Sequence, residues 1–243
     1  MADGASAHVR INNGVLAQVE RQALIWLARK LPERIHSDHL TALALVGTAI
    51  ASTSFAFARL FPVALVGVAA GLAVNWFGDS LDGTLARVRH HERPRYGFYV
   101  DHVLDVLCIL FIFAGLVLGG HMSLPIGGGF LLAYYLLMIE IALATHAVGV
   151  FRISFWKFGP TELRILLAIG SVRLMHSGVV TIAGTDFLLF DVGGVVAIAG
   201  LVLTFVVSAI SNTRALYTAE PLPPRGGRPL SLQQPVDSVA VKG

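Results

Sequence analysis

Cysteine and charge are the two components that this sequence has least of. Cys108 is its only cysteine, which excludes an internal disulfide and a metal site built from several cysteines. Charged residues make up 14% of the 243 residues, whereas a soluble domain carries about 25%. The net charge of +3 is modest, so we expect no nucleic-acid partner.

Apolar residues take the place of the missing charge. They make up 55% of the chain, and the mean hydropathy is +0.72. An apolar stretch of about 20 residues crosses a bilayer as a helix, and a helix satisfies its own backbone hydrogen bonds in lipid. We therefore predict an all-α membrane protein with six transmembrane helices, at residues 39–58, 61–80, 97–118, 126–149, 162–183 and 188–210.

The predicted chain has three parts. Residues 1–38 form an N-terminal segment with an amphipathic helix, residues 39–212 form the six-helix transmembrane domain, and residues 213–243 form a tail. The tail is rich in Pro, Gly and Ser, which predicts disorder.

The amphipathic helix is predicted within residues 15–35. An interfacial helix is the first interpretation, with its apolar side turned to the membrane. A helix packed on a protein surface is the alternative. The residues assigned to the apolar side are Val15, Leu16, Val19, Ala23, Trp26 and Leu27.

The positive charges predict the orientation. With six spans and the N-terminus inside, all of the 18 Lys and Arg residues except Arg59 and Arg173 fall in cytoplasmic segments. Cytoplasmic loops carry an excess of Lys and Arg. We therefore expect an inner-membrane protein with both termini in the cytoplasm.

Four aspartates form two pairs in the segment 75–108. Asp79 and Asp82 are three residues apart, and Asp101 and Asp105 are four apart, so each pair shares one face of a helix. The two predicted spans are consecutive and antiparallel, which puts all four carboxylates near the cytoplasmic boundary. Acids at membrane depth are costly and indicate a functional site.

These residue types predict a site for metal ions and a diphosphate. Carboxylates favour hard cations such as Mg²⁺ or Mn²⁺, and two such ions can bridge a diphosphate. Arg87 can bind phosphate oxygens, while Gly83 and Gly97 allow a ligand to approach the backbone. The alternative is that the aspartates form salt bridges with the loop arginines Arg87, Arg89, Arg93 and Arg95.

The spacing also resembles a known signature. The pattern D-x-x-D-G-x-x-A-R is followed by G-x-x-x-D-x-x-x-D, with nine residues between them. This is similar to the signature of the CDP-alcohol phosphotransferase family. The matching residues are Asp79, Asp82, Gly83, Ala86, Arg87, Gly97, Asp101 and Asp105.

The resemblance implies a catalytic six-helix domain, a homodimer and a site that faces the cytoplasm. It implies two Mg²⁺ or Mn²⁺ ions held by the four aspartates, with Asp105 also acting as the general base. A CDP site would be lined by Gly83, Ala86, Arg87 and Gly97. The start of the first span, at Ser37 and Asp38, also resembles the family and would lie near the nucleotide.

The implied reaction is transfer of a substituted phosphate group in phospholipid synthesis. A small hydroxyl acceptor attacks a CDP-linked lipid donor, for which we expect CDP-diacylglycerol, and CMP leaves. One alternative is a transferase that uses a CDP-aminoalcohol and diacylglycerol. A cation transporter that binds its ion at the aspartates is the other alternative.

The acceptor pocket is predicted near the fifth span. Arg152, Lys157 and Arg164 would bind an anionic group of the acceptor, and Glu162 would face an ammonium group. The alternative for the segment 158–164 is a helix start, with a proline and an acid in the first turn. Glu140, His146, Arg173 and His176 would pair across helices or line the acceptor cavity.

Overall fold

A computed structural model of the chain describes residues 15–148, 160–220 and 222. Most of these residues are helical, and one short β-hairpin interrupts the helices. The elements are α1 (Val15–Lys30), α2 (Ser37–Phe57), α3 (Ala64–Val88), α4 (Pro94–Leu118), α5 (Leu124–Val148), α6 (Pro160–Leu174), β1 (Val179–Ile182), β2 (Thr185–Leu188) and α7 (Leu189–Ala219).

Five of the helices, α2, α3, α4, α5 and α7, are long and apolar enough to cross a membrane. Their outward faces carry many exposed large apolar side chains, including Val66, Leu132 and Leu203. Such a surface is stable only against lipid or protein. The chain is therefore described as an integral membrane protein, as predicted.

The fifth predicted span, 162–183, is wrong at its C-terminal end. Helix α6 has 15 residues, or about 22 Å at 1.5 Å per residue, which is shorter than the roughly 30 Å of a bilayer core. Six spans are thus not confirmed.

A β-hairpin follows α6, so the fold is not purely α-helical. Its strands β1 and β2 pair antiparallel and are joined by Ala183 and Gly184, both with positive φ. Two such residues form the type I′ turn that suits the twist of a hairpin. Hydropathy alone did not separate the β-branched run Val179–Ile182 from a helix.

The last helix extends past its predicted end. Helix α7 continues to Ala219, so residues 213–219 of the predicted tail are helical. The predicted tail from residue 223 onward lies outside the described residues.

Helix α2 is the centre of the packing. Helices α3 and α4 both pack on α2 and contact each other much less. The α2–α3 contact depends on small residues: a Cβ on Gly71 would lie 2.6 Å from the Ala51 nitrogen, and one on Gly78 would lie 2.5 Å from the Leu40 oxygen. Close approach of this kind is typical of membrane helices.

The main apolar core lies in one half of the bundle. It joins the C-terminal halves of α2 and α4 to the N-terminal half of α3, with Phe55, Val68 and Leu116 fully buried. Phe130 of α5 and Phe190 of α7 close it. The other half of the bundle, where the α3–α4 loop lies, holds the four aspartates.

Helix α1 packs on the protein mainly with a face other than the one predicted to meet the membrane. Leu24 and Ala28 are buried in a second cluster with Leu40, Leu81 and Leu85. Trp26, assigned to the membrane side, is 56% exposed and stacks with Lys30 at 4.0 Å. The alternative of a protein-packed helix therefore accounts for the buried face.

Glu140 of α5 is buried between α5 and α7. Its two carboxylate oxygens accept hydrogen bonds from Ser208 Oγ and Asn212 Nδ2, each at 2.8 Å. Pairing across helices is thus the outcome for Glu140. His146 is exposed, while Arg173 donates to the backbone oxygen of Ser177 at 3.3 Å.

Candidate functional site

Three of the four predicted aspartates converge. One carboxylate oxygen each from Asp79 of α3 and from Asp101 and Asp105 of α4 lie within 4.8 Å of one another. The two acid-bearing helices face each other across a cavity whose floor is α2, because both pack on α2. Asp79 of the first aspartate pair therefore meets both members of the second pair across this cavity.

The three carboxylates suit a hard divalent cation once their oxygens close around it. Three oxygens at the corners of a triangle with 4.8 Å sides lie about 2.8 Å from its centre, whereas a Mg²⁺–oxygen distance is about 2.1 Å. Each oxygen would therefore have to move inward by up to about 0.7 Å to bind one Mg²⁺. Oxygen-only ligands of this kind fit Mg²⁺, Mn²⁺ or Ca²⁺ better than softer metals.

Asp82 lines the same cavity but is not one of the three carboxylates that converge within 4.8 Å. Its Oδ2 accepts a hydrogen bond from Thr41 Oγ1 at 2.6 Å, and its Oδ1 accepts one from the Gly83 N–H. Ser37 Oγ donates to the Asp82 backbone oxygen at 3.1 Å. Ser37, predicted near the nucleotide, is thus bound to the motif helix α3.

Arg164 of α6 enters the same cavity. Its Nη2 donates to Asp79 Oδ2 at 2.7 Å, and its Nε donates to Asn75 Oδ1 at 2.7 Å. Only 14% of the Arg164 side chain is exposed, so this ion pair is well shielded. Arg164 therefore balances part of the acid charge and ties α6 to α3.

Asn75 is a site residue that the sequence analysis missed. Its side chain is buried, and its Nδ2 donates to the Ala44 backbone oxygen at 3.0 Å and to Thr48 Oγ1 at 2.9 Å. Together with the bond from Arg164, all of its amide groups are used. The available signal was a polar residue inside a predicted span, four positions before Asp79 and so on the same helix face.

Thr41, Thr48 and Cys108 are further neighbours of the cavity. Thr41 and Cys108 line it, and Thr48 Oγ1 lies 3.3 Å from Cys108 Sγ. Cys108 is three residues after Asp105, one helical turn along the same side of α4. It is therefore close to the acids.

The predicted nucleotide-binding residues are only partly assembled. Gly83 lies under the Arg87 side chain, because a Cβ on Gly83 would be 3.3 Å from Arg87 Nη1. Arg87 is exposed, with Nη2 donating to Thr84 Oγ1 at 3.2 Å. Gly97 is exposed with open space beside it, and Ala86 is half-buried.

Two of the loop arginines bind partners other than the aspartates of the cavity. Arg93 forms an exposed ion pair with Asp38 and stacks on Tyr96 at 4.1 Å. Arg89 donates to backbone oxygens of the α1–α2 linker. The ion pair of Asp79 thus comes from α6, which the loop-arginine alternative did not foresee.

The structure describes only some of the residues predicted to bind the acceptor. Arg152 and Lys157 lie outside the described residues, and Glu162 falls in the first turn of α6. Only Arg164 of this group can be traced to the cavity.

Two comparisons with known proteins identified no relative of this chain. No protein-family model matches the chain, and no curated protein matches it with significance.

Proposed function

We propose that this chain is a metal-dependent CDP-alcohol phosphotransferase of the membrane. It would transfer the phosphatidyl group of CDP-diacylglycerol to a hydroxyl acceptor and release CMP. The observation that supports this most is the convergence of Asp79, Asp101 and Asp105, which occupy signature positions and offer oxygens within 4.8 Å of one another. Asp79 and the other two aspartates lie on different helices, so proximity along the chain does not explain why they converge.

The chain's residues would divide the work as follows. Divalent ions bound by the aspartates would neutralise the diphosphate of the donor and stabilise its leaving oxygen. Arg87 is exposed above Gly83 and would bind phosphate oxygens of the donor through its planar guanidinium. The α2 floor and α6 would hold the donor against the acids.

Asp105 would act as the general base. It lies on α4 at the cavity, one turn beyond Asp101. Its carboxylate would take the proton of the acceptor hydroxyl, whose oxygen forms the new bond to the phosphorus distal to cytidine. The phosphoanhydride bond breaks in the same displacement, and its electron pair leaves with CMP.

Arg164 supports an anionic acceptor. Arg164 lines the cavity, and its Nε and Nη2 donate to Asn75 and Asp79, while its guanidinium also carries a third nitrogen, Nη1. Such a nitrogen would suit an acceptor that carries a phosphate or carboxylate. We also propose that the site faces the cytoplasm, which the accessibility of introduced cysteines in membranes would test. We further propose a homodimer, which crosslinking in membranes would test.

The test is CMP release by the purified protein. CDP-diacylglycerol is supplied with Mg²⁺ or Mn²⁺ and a panel of labelled alcohols, and release should stop with EDTA. Asp105→Asn should lower the rate by about 10² to 10⁴, the usual contribution of general base catalysis. Asp186→Asn is the matched control, because Asp186 lies on the hairpin and pairs with Thr181.

Other outcomes would change the assignment. Full activity in Asp105→Asn would remove Asp105 as the base. Turnover only with a CDP-aminoalcohol and diacylglycerol would favour the second transferase, and metal uptake by liposomes without nucleotide would favour a transporter. If no combination of donor and alcohol gave CMP release, the proposed function would be wrong.

A further inference from the structure

Asp82 accepts hydrogen bonds from two residues near the N-terminus of α2. The bond from Thr41 Oγ1 to Asp82 Oδ2, at 2.6 Å, has the length of a charge-assisted O–H···O⁻ bond. Ser37, one turn earlier on α2, holds the backbone oxygen of the same residue. The side chain and the main chain of Asp82 are thus both fixed by one edge of α2.

A second attachment lies at Arg89, the residue that directly follows α3. Arg89 is seven residues after Asp82, about 10.5 Å along the helix. Its Nη2 donates to the backbone oxygens of Leu31 and Pro32, both at 2.9 Å, and its Nη1 donates to that of Ile35. These carbonyls belong to the linker between α1 and α2, so Arg89 fixes the segment that leads into α2, the helix that carries Thr41.

The two attachments restrict the one aspartate that stands apart from the other three. Each Asp82 oxygen accepts one hydrogen bond from the protein. A carboxylate oxygen has a second lone pair, so each oxygen can still bind a cation. What the bonds from Thr41 and from the Gly83 N–H remove is free rotation of the carboxylate.

We propose that Thr41 and Arg89 are positioning residues that hold Asp82 as a ligand beside the Asp79–Asp101–Asp105 group. This inference rests on the proposed function, because it assumes that the aspartates bind divalent ions. Groups that orient a metal ligand usually change metal affinity by about 10- to 100-fold when removed. Thr41 would act through its hydrogen bond to Asp82, and Arg89 through the linker that leads into α2.

Binding of Mn²⁺ to the metal-free protein in detergent tests this without turnover. The free Mn²⁺ signal is followed by electron paramagnetic resonance for wild type, Thr41→Val and Thr41→Ser. We expect Thr41→Val to weaken Mn²⁺ binding about 10- to 100-fold, and Thr41→Ser, which keeps the hydroxyl, to restore it. Thr204→Val is the matched control: Thr204 donates to the Gly200 oxygen, four residues earlier on α7, and contacts no carboxylate in the described structure.

A second pair of variants tests the linker. Arg89→Gln should weaken Mn²⁺ binding less than Thr41→Val, because the Thr41 hydroxyl remains. Arg214→Gln, which removes a charge from an exposed position on α7, should bind as wild type. This pair also carries the test if Thr41→Val does not fold.

The outcomes separate the two proposals. Wild-type affinity in Thr41→Val, or no restoration in Thr41→Ser, would overturn the role of Thr41 and leave the proposed function intact. Wild-type affinity in Arg89→Gln would overturn the role of Arg89. A wild-type protein that binds no Mn²⁺ while remaining folded would count against the proposed function itself.

Discussion

Replacing Gly78 by alanine should separate two helices and disturb the site next to them. A Cβ at residue 78 would lie 2.5 Å from the Leu40 oxygen and 2.6 Å from the Ala44 nitrogen, which are backbone atoms of α2. Since non-bonded heavy atoms are normally about 3.5 Å apart, α2 and α3 would have to separate by about 1 Å.

Both the stability and the activity should respond to that shift. Overpacking of this kind costs about 1–3 kcal/mol, while the helix propensity of alanine over glycine returns about 1 kcal/mol. Gly78 precedes Asp79, and Leu40 precedes Thr41, so the separation falls at the acids. A misplacement of 1 Å can lower a rate about 100-fold.

The assay compares Gly78→Ala with Gly200→Ala in detergent. Gly200 of α7 has open space where its Cβ would be, so alanine there should raise stability slightly and leave CMP release unchanged. Thermal unfolding and Mn²⁺ binding are measured for both variants. A Gly78→Ala protein with wild-type stability and wild-type Mn²⁺ binding would refute the tight α2–α3 contact.

Two further predictions concern polar groups away from the site. Glu140→Gln should lower the free energy of unfolding by less than about 1 kcal/mol. Glu140→Leu leaves Ser208 and Asn212 without their acceptor and should lower it by about 1–3 kcal/mol. Equal unfolding of the two variants would contradict this. Burial lowers the pKa of His121, in the α4–α5 turn, below its ordinary 6.5, so the folded state binds fewer protons than the unfolded state. Stability should therefore fall as the pH drops below 6.5 and stay level above it, and His121→Gln should reduce that slope in unfolding scans.

The sequence was informative where a physical rule acts over a short distance along the chain. Spacings of three and four residues place side chains on one helix face, which is why the two aspartate pairs could be recognised. The apolar stretches predicted α2 to α5 and α7, because backbone satisfaction in lipid requires long helices. These rules need no knowledge of which helix packs on which.

The rest depended on tertiary contacts. Asp82 lines the predicted cavity, but the hydrogen bond that its carboxylate accepts from Thr41, 41 residues away, could not be predicted from any spacing along the chain. Arg164 is 85 residues from Asp79, and no pattern along the chain links the two. The face of α1 that packs on the protein was not predicted, because the helix has small and apolar residues on more than one face, and only contact with Leu81 and Leu85 selects the buried one.

The uneven placement of the apolar core has a consequence for how such a chain could change over time. Phe55, Val68 and Leu116 belong to the larger core in one half of the bundle, while the half that holds the aspartates combines a smaller apolar cluster around Leu81 and Leu85 with hydrogen bonds and small residues. Substitutions around the cavity would therefore leave the larger core untouched. A scaffold divided in this way can acquire a new specificity by drift at one end while the opposite end preserves the fold.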